Sequence, residues 1–235
     1  KPNYVRCYYK LISCVFQQGK VEEGRRLKEE LISLSASLDD RVFGALKAEI
    51  VLELVRLDRE DSSLTTKQLR MAVEQAVKYK VDKGITAKAY TWLGTAELDS
   101  RNYEKSQEYL EKAYSISMDV DPKSSDTAQS ASLLGHYWKR VKRFDLAERF
   151  YRESLAIHRG FEKNVATSYH LALSLESLGC FLKDLGRLVE AKVFLVELIE
   201  LLEKYPEVAR GINPQLVEDL VKAKNLNEKL DLFGD

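Results

Sequence analysis

A leucine–glycine pair recurs along this chain at a nearly fixed spacing. It appears as Leu93-Gly94, Leu134-Gly135 and Leu178-Gly179, with steps of 41 and 44 residues. Stepping back by 41 from Leu93 reaches Leu52, and a further 41 reaches Leu11. Other columns keep the same register. A small residue runs through Gly24, Thr65, Ser106, Ala147 and Ala191. Four positions later stand Lys28, Leu69, Leu110, Tyr151 and Leu195, and three later again Leu31, Ala72, Ala113, Ser154 and Leu198. Such a period means repeated supersecondary units, none of which can bury its apolar face alone.

Within each period the apolar residues recur at three- and four-residue steps, the mark of amphipathic helices. In the third unit Ala89, Trp92, Leu93 and Ala96 give a first helix over about 86–100. Tyr103, Tyr109, Leu110 and Ala113 give a second over about 103–118. Asn102 suits the tight turn between them. The mid-helix glycines Gly94, Gly135 and Gly179 cost about 1 kcal/mol each against Ala, so each implies a partner helix too close for a Cβ. Asp121-Pro122 and Pro206 stop helices, while Ser124 to Thr127 and Asn213-Pro214 offer starts. The first two units are degenerate: Ile12 and Glu53 replace the glycine, Lys28 replaces an apolar residue, and a polar corner, Asp58 to Ser63, delays a helix.

The spacing Leu93-Gly94, Tyr103, Ser106, Leu110, Ala113 resembles the tetratricopeptide repeat. So do Leu134-Gly135, Trp138, Phe144, Ala147, Tyr151, Ser154 and Leu178-Gly179, Leu182, Leu188, Ala191, Leu195, Leu198. The long period, and Asn164 to Tyr169 leading into Leu171-Ala172-Leu173, is similar to the repeats of kinesin light chain and related scaffolds. The resemblance implies an all-α, right-handed superhelical solenoid. It would hold about five helix-turn-helix units, at about 5–40, 41–81, 86–120, 127–160 and 165–204, in a single domain over 1–235. A capping helix at about 214–230 would close the stack.

The same resemblance implies a concave groove lined by first helices, in which a peptide or helix of another protein binds. Its groove positions are Lys88, Thr91, Thr95 and Asp99; Gln129, Ser132, His136, Lys139 and Arg140; and Leu173, Glu176, Cys180, Lys183 and Asp184. The Asn ladder common in those scaffolds is absent: Thr91-Trp92, Ser132-Leu133 and Glu176-Ser177 stand at its positions. Trp92, Tyr137, Trp138 and Phe150 read as core or near-core packing.

Composition narrows the function. The formal net charge is zero, which gives no general attraction to nucleic acid or an anionic membrane. The basic run Lys139, Arg140, Lys142, Arg143, followed by Arg149, Arg152 and Arg159, is balanced by Asp145, Glu148 and Glu153, or else forms an acidic-peptide, phosphate or RNA site. No apolar run is long enough to span a bilayer. Catalysis finds no motif: there is no nucleophile elbow, no glycine loop for phosphate and no His or Cys pair at metal-ligand spacing. His158 and His170 lie apart in the register. No cofactor or metal is expected. The three cysteines, Cys7, Cys14 and Cys180, read as buried or half-buried reduced thiols, which with the missing glycosylation sequon suits an intracellular, cytoplasmic setting. A start without Met suggests an excised or processed chain, so a regulatory arm of a larger enzyme is the second expectation.

Overall fold

The computed structural model describes residues 2–36, 46, 50, 66–162, 164–215, 217 and 218. All regular structure among them is helical. The helices are α1 (Pro2–Gln17), α2 (Val21–Ala36), α3 (Thr66–Lys78), α4 (Lys83–Asp99), α5 (Tyr103–Val120), α6 (Ser125–Arg140), α7 (Phe144–Arg159), α8 (Val165–Asp184) and α9 (Leu188–Lys204). A 3₁₀ segment, Pro206–Gly211, follows. The chain divides into two compact units, Lys1–Val120 and Asp121–Asp235. Leu52, Glu53, Thr65 and the corner Asp58 to Ser63 lie outside the described residues.

Four helical hairpins share one turn. In each, a left-handed residue follows the first helix, seven positions after the glycine column: Gly19 at φ 75°, Arg101 at 59°, Lys142 at 62° and Gly186 at 76°. The next amide then reaches back five residues: Lys20 N to Val15 O at 3.2 Å, Asn102 N to Glu97 O at 2.8 Å, Arg143 N to Trp138 O at 2.9 Å and Arg187 N to Leu182 O at 3.0 Å. These bonds satisfy carbonyls that a helix end leaves unpaired. Asn102 is therefore not the turning residue, as the sequence suggested; Arg101 is.

The glycine column sets the helix separation. A Cβ on Gly94 would lie 2.7 Å from the Leu110 side chain, one on Gly135 2.7 Å from Tyr151, and one on Gly179 2.7 Å from Leu195. The expected close approach is thus present in all three repeats. Leu93, Leu134 and Leu178 are equivalent and buried. The small column is buried at Ser106, Ala147 and Ala191, and the Ser106 hydroxyl donates to Gly94 O at 2.9 Å.

The first unit keeps the register but inverts the fit. Ile12, in the glycine column, is fully buried, and the bare backbone lies on the second helix instead, where a Cβ on Gly24 would come 2.8 Å from the Phe16 ring. Leu11 departs from its column: 48% of it is exposed. Leu93 packs with Leu69, Ala72 and Val73 of the preceding helix α3, whereas α1 has no described helix before it. Cys7 and Cys14, at helical spacing from Leu11, are exposed as well, so the expectation of buried thiols fails at both. Cys180 is half-buried, as expected.

Helix starts follow side-chain caps. Ser124 accepts from Thr127 N at 3.1 Å, and Asn164 and Thr167 form a reciprocal capping box. Asp82 accepts from Gly84 N and Ile85 N, which starts α4 at Lys83, three residues before the sequence reading. Asn213 accepts from Gln215 N at 3.0 Å, and 214, 215, 217 and 218 are helical; the rest of the expected capping helix lies outside the described residues. Among the described residues a carboxylate occupies one core position. Glu97, 3% exposed, receives Arg70 Nη2 at 2.7 Å and Asn102 Nδ2 at 2.9 Å, which ties α3 to the α4–α5 turn. A carboxylate with so little water needs both donors.

Gly94→Ala should destabilise the protein despite its better helix propensity. Overpacking costs about 1–3 kcal/mol, of which about 1 kcal/mol is offset by propensity. In a double-mutant cycle with Leu110→Ala, read by urea unfolding, the two changes should cost less together than their sum, because removing Leu110 makes room for the methyl. Gly186→Ala isolates the turn. Nothing lies within 4 Å of the added Cβ, so the loss of about 1 kcal/mol expected in the same assay is backbone strain alone.

Candidate interaction face on the first helices of the second unit

Helices α6 and α8 are the first helices of consecutive hairpins, and they contact each other directly. Their polar positions meet there. Lys139 Nζ lies 2.7 Å from Asp184 Oδ2, which joins the ends of the two helices. His136 is bonded through Nδ1 to the Tyr151 hydroxyl at 2.9 Å, and the two rings meet edge to face at 5.2 Å. Tyr151 occupies the column that holds Leu110 and Leu195. Its ring fills the same core slot, while its hydroxyl reaches the polar face. Loss of hydration over the ring face, with Lys139 and Arg140 nearby, lowers the His136 pKa to about 4. The ring keeps an exposed edge, so it is the packed face against Tyr151 that disfavours the cation.

Glu176 is half-buried and accepts from Asn213 N at 3.3 Å; burial raises its pKa, and the amide partly offsets this. Cys180 feels Glu176, Lys183, Asp184 and Lys139, yet burial dominates and holds its thiol protonated. Ser132 is half-buried, and Gln129, Arg140 and Lys183 are exposed. Arg140 and Lys183 have no ion-pair partner among the described residues. The remaining sequence-predicted positions belong to the first compact unit. There Lys88 is exposed, Thr91 is only 5% exposed, and the half-buried Thr95 donates its hydroxyl to Thr91 O at 2.9 Å.

A family model described as tetratricopeptide repeat matches residues 85–160. Those residues, the third and fourth repeats, are similar to tetratricopeptide repeats. No curated protein sequence matches the chain. Solved structures share its fold. BtubC (BKLC) from P. vanneervenii superposes with a TM-score of 0.71 at 17% identity, covering 91% of this chain and 84% of that one. TPR-like repeats of a kinesin light chain-type protein from Podosopora anserina give 0.66 at 16% identity, with 87% and 97% covered. The apo form of RapI gives 0.71 at 13% identity, with 98% and 87% covered. Tetratricopeptide repeats are scaffolds for protein–protein contact as a class.

On the second helices of these repeats the basic residues are largely paired. Arg152 contacts Glu148 at 2.7 Å and Glu190 at 3.4 Å, Arg143 contacts Asp145 at 3.5 Å, and Arg159 pairs with Glu197. Arg187 closes the set by pairing with Glu148 and Glu190. The balanced reading of the basic run holds for Arg143 and Arg152, while Lys139 and Arg159 are paired by acids outside it, Asp184 and Glu197. Tyr137 is buried, and Trp92 and Trp138 pack against the cores, as expected of core aromatics. Among the described residues no group of three or more His, Cys, Asp or Glu is placed to hold a metal, and no helix is long and apolar enough to cross a membrane.

One polar cluster was not foreseen. His158 and His170, apart in the repeat register, stack at 5.6 Å with planes 16° apart. His158 is 4% exposed; its Nδ1 lies 2.8 Å from the Ser174 hydroxyl, which lies 3.1 Å from that of Ser154, while its Nε2 has no partner. Burial, then the neighbouring His170, lowers its pKa to about 4. Their symmetric distance from the α7–α8 connection was the available signal: both residues stand six positions from Asn164.

Between pH 6.5 and 4 the unfolded chain takes up a His158 proton that the folded protein refuses, so stability falls as pH falls. From pH 7 to 5 His158 alone should account for a loss of about 2 kcal/mol, with His136 adding to it, read as a lower urea midpoint. His158→Gln should reduce that slope and leave the His136 part. An identical slope in the variant would assign the loss to other groups.

Proposed function

We propose that this chain is a protein-interaction scaffold that binds a peptide or helical segment of another protein on the face built by α6 and α8. The observation that carries the reading is the division of charge there. Lys139 is held by Asp184, while Arg140 and Lys183 are exposed and unpaired among the described residues. A cation left without a partner on a scaffold face favours an acidic residue in the ligand, and Arg140 adds a bidentate fork. Gln129, Ser132 and the outer edge of His136 supply neutral hydrogen-bonding groups beside it. In the first unit Lys88 is the exposed cation of the corresponding face, and Thr91 and Thr95 contribute little surface. The role is binding rather than catalysis: the thiol of Cys180 is kept protonated, and His136 is fixed by Tyr151. Unpaired cysteines suit a reducing, intracellular compartment.

Selection from a displayed library of random peptides tests the reading. Selected peptides should be enriched in Asp and Glu. Arg140→Glu with Lys183→Glu should weaken their binding by about tenfold or more, with helical content unchanged. Arg149→Glu on the second helix α7 should have no effect. Peptides insensitive to the first pair but lost with Arg149→Glu would overturn the assignment of the face, and a library without binders would overturn the function.

A further inference from the structure

In its column Tyr151 alone carries a hydroxyl group. Leu110 and Leu195 stand at its place in the neighbouring repeats, and Thr95 and Cys180 stand at the place of His136. A phenylalanine would fill the same slot without a polar atom. A hydroxyl taken out of water costs free energy unless it is bonded, so packing alone does not call for the Tyr151–His136 pair.

The bond between them fixes a tautomer. Tyr151 is 1% exposed, and its hydroxyl has His136 Nδ1, at 2.9 Å, as its partner among the described residues. Burial, then the charge of Asp184, pushes the Tyr151 pKa up, so the phenol keeps its proton. If Nδ1 carried a hydrogen, the hydroxyl would have to accept it, and its own hydrogen would be left in the core without an acceptor. The hydroxyl therefore donates to Nδ1. The imidazole is neutral near pH 7, so its single proton sits on Nε2. The two nitrogens point to different sides of the ring, and the side away from Tyr151 is the exposed edge. Nε2 has no hydrogen-bond partner among the described residues.

The neighbours of Nε2–H set the chemistry of a ligand. Arg140 stands one turn further along α6, adjacent on the helix surface, and its charge acts on the ring. Lys183 adjoins Asp184, which Lys139 already holds. Glu176 accepts from the Asn213 amide. This end of the face thus presents side chains that only donate: an imidazole N–H, a guanidinium and an ammonium. A carboxylate only accepts, so both of its oxygens match them. A side-chain amide would turn its NH₂ group against one of the donors.

We infer that His136 Nε2–H takes one oxygen of a carboxylate on the bound segment while Arg140 takes the other, and that Tyr151 is the positioning residue that holds the imidazole for this contact. On the α6–α8 reading above, on which this contact rests, the face then selects Asp or Glu over Asn or Gln.

Heteronuclear NMR of the labelled full chain at pH 7 should find the His136 proton on Nε2. Tyr151→Phe should shift it toward the mixture of a free imidazole, with circular dichroism unchanged. Against acidic peptides selected on the wild-type chain, His136→Leu should weaken binding by about fivefold and Tyr151→Phe by about threefold. Because Tyr151 acts through His136, the two changes together should cost no more than His136→Leu alone. His136→Gln, whose NH₂ group can stand near the place of Nε2, should retain part of the affinity. Exchanging the peptide's acid for its amide should cost about tenfold with the wild-type chain and less with His136→Leu. A proton on Nδ1, additive losses, or peptides weakened by Arg140→Glu yet indifferent to His136→Leu would overturn this contact and leave the scaffold reading standing. A library without binders would overturn both.

Discussion

The hairpins depend on a steric fit between a missing side chain and a large one. At Gly94, Gly135 and Gly179 the first helix presents bare backbone, and Leu110, Tyr151 or Leu195 fills the space a Cβ would need. The fit fixes how closely two helices approach and which residues lie level along them. Once it is fixed, the small column at Ser106, Ala147 and Ala191 is buried and the left-handed turn falls seven residues after the glycine every time. The first hairpin reaches the same turn by reversal, with the bare backbone at Gly24 of the second helix and the Phe16 ring of the first filling the space. Close packing constrains the summed volume at a crossing more than the identity of either residue.

That constraint also reaches the surface. A leucine in the large column ends inside the core. Tyrosine at the same place has a ring of similar bulk and a hydroxyl that must find a partner. At Tyr151 the partner is His136, on the polar face of α6. Packing in the fourth repeat therefore decides the orientation of a group available to a ligand, and burial of the ring face keeps that group uncharged near neutral pH.

The register was legible because its markers are local and repeated. Glycine in a helix interior is expensive, so each occurrence carries information, and three in step leave few alternatives. What depended on contacts across the register was not legible. Glu97 shares its column with Trp138 and Leu182 in later repeats, so the column marks the position as packed, but not the donors Arg70 and Asn102 that make a buried carboxylate tolerable there. Leu11 fits its column in sequence but is exposed, with no described helix before α1 to stand where α3 stands for Leu93. His158 and His170 occupy unrelated columns, and reading by columns hid what the connection between α7 and α8 imposes. Groove positions taken from family resemblance assume that every first helix shows the same stripe. Thr91, nearly buried, shows how far neighbouring helices alter that stripe from one repeat to the next.

Charge follows the same division between what the fold consumes and what it leaves. The second helices α7 and α9 are linked by Arg152, Arg159 and Arg187 against Glu148, Glu190 and Glu197, and the guanidinium groups of Arg152 and Arg159 lie 5.7 and 5.8 Å from the Phe194 ring. Exposed pairs of this kind contribute little one by one, about 0–1 kcal/mol. As a connected set they fix the alignment of neighbouring hairpins, since sliding α9 along α7 would break several at once. A chain with equal numbers of acidic and basic residues thus spends much of its charge on internal register. Arg140 and Lys183, exposed and without an ion-pair partner among the described residues, stand on first helices. Net neutrality is therefore compatible with a locally positive face, and it is the distribution across the two helices of each repeat, rather than the total, that decides what such a surface can hold.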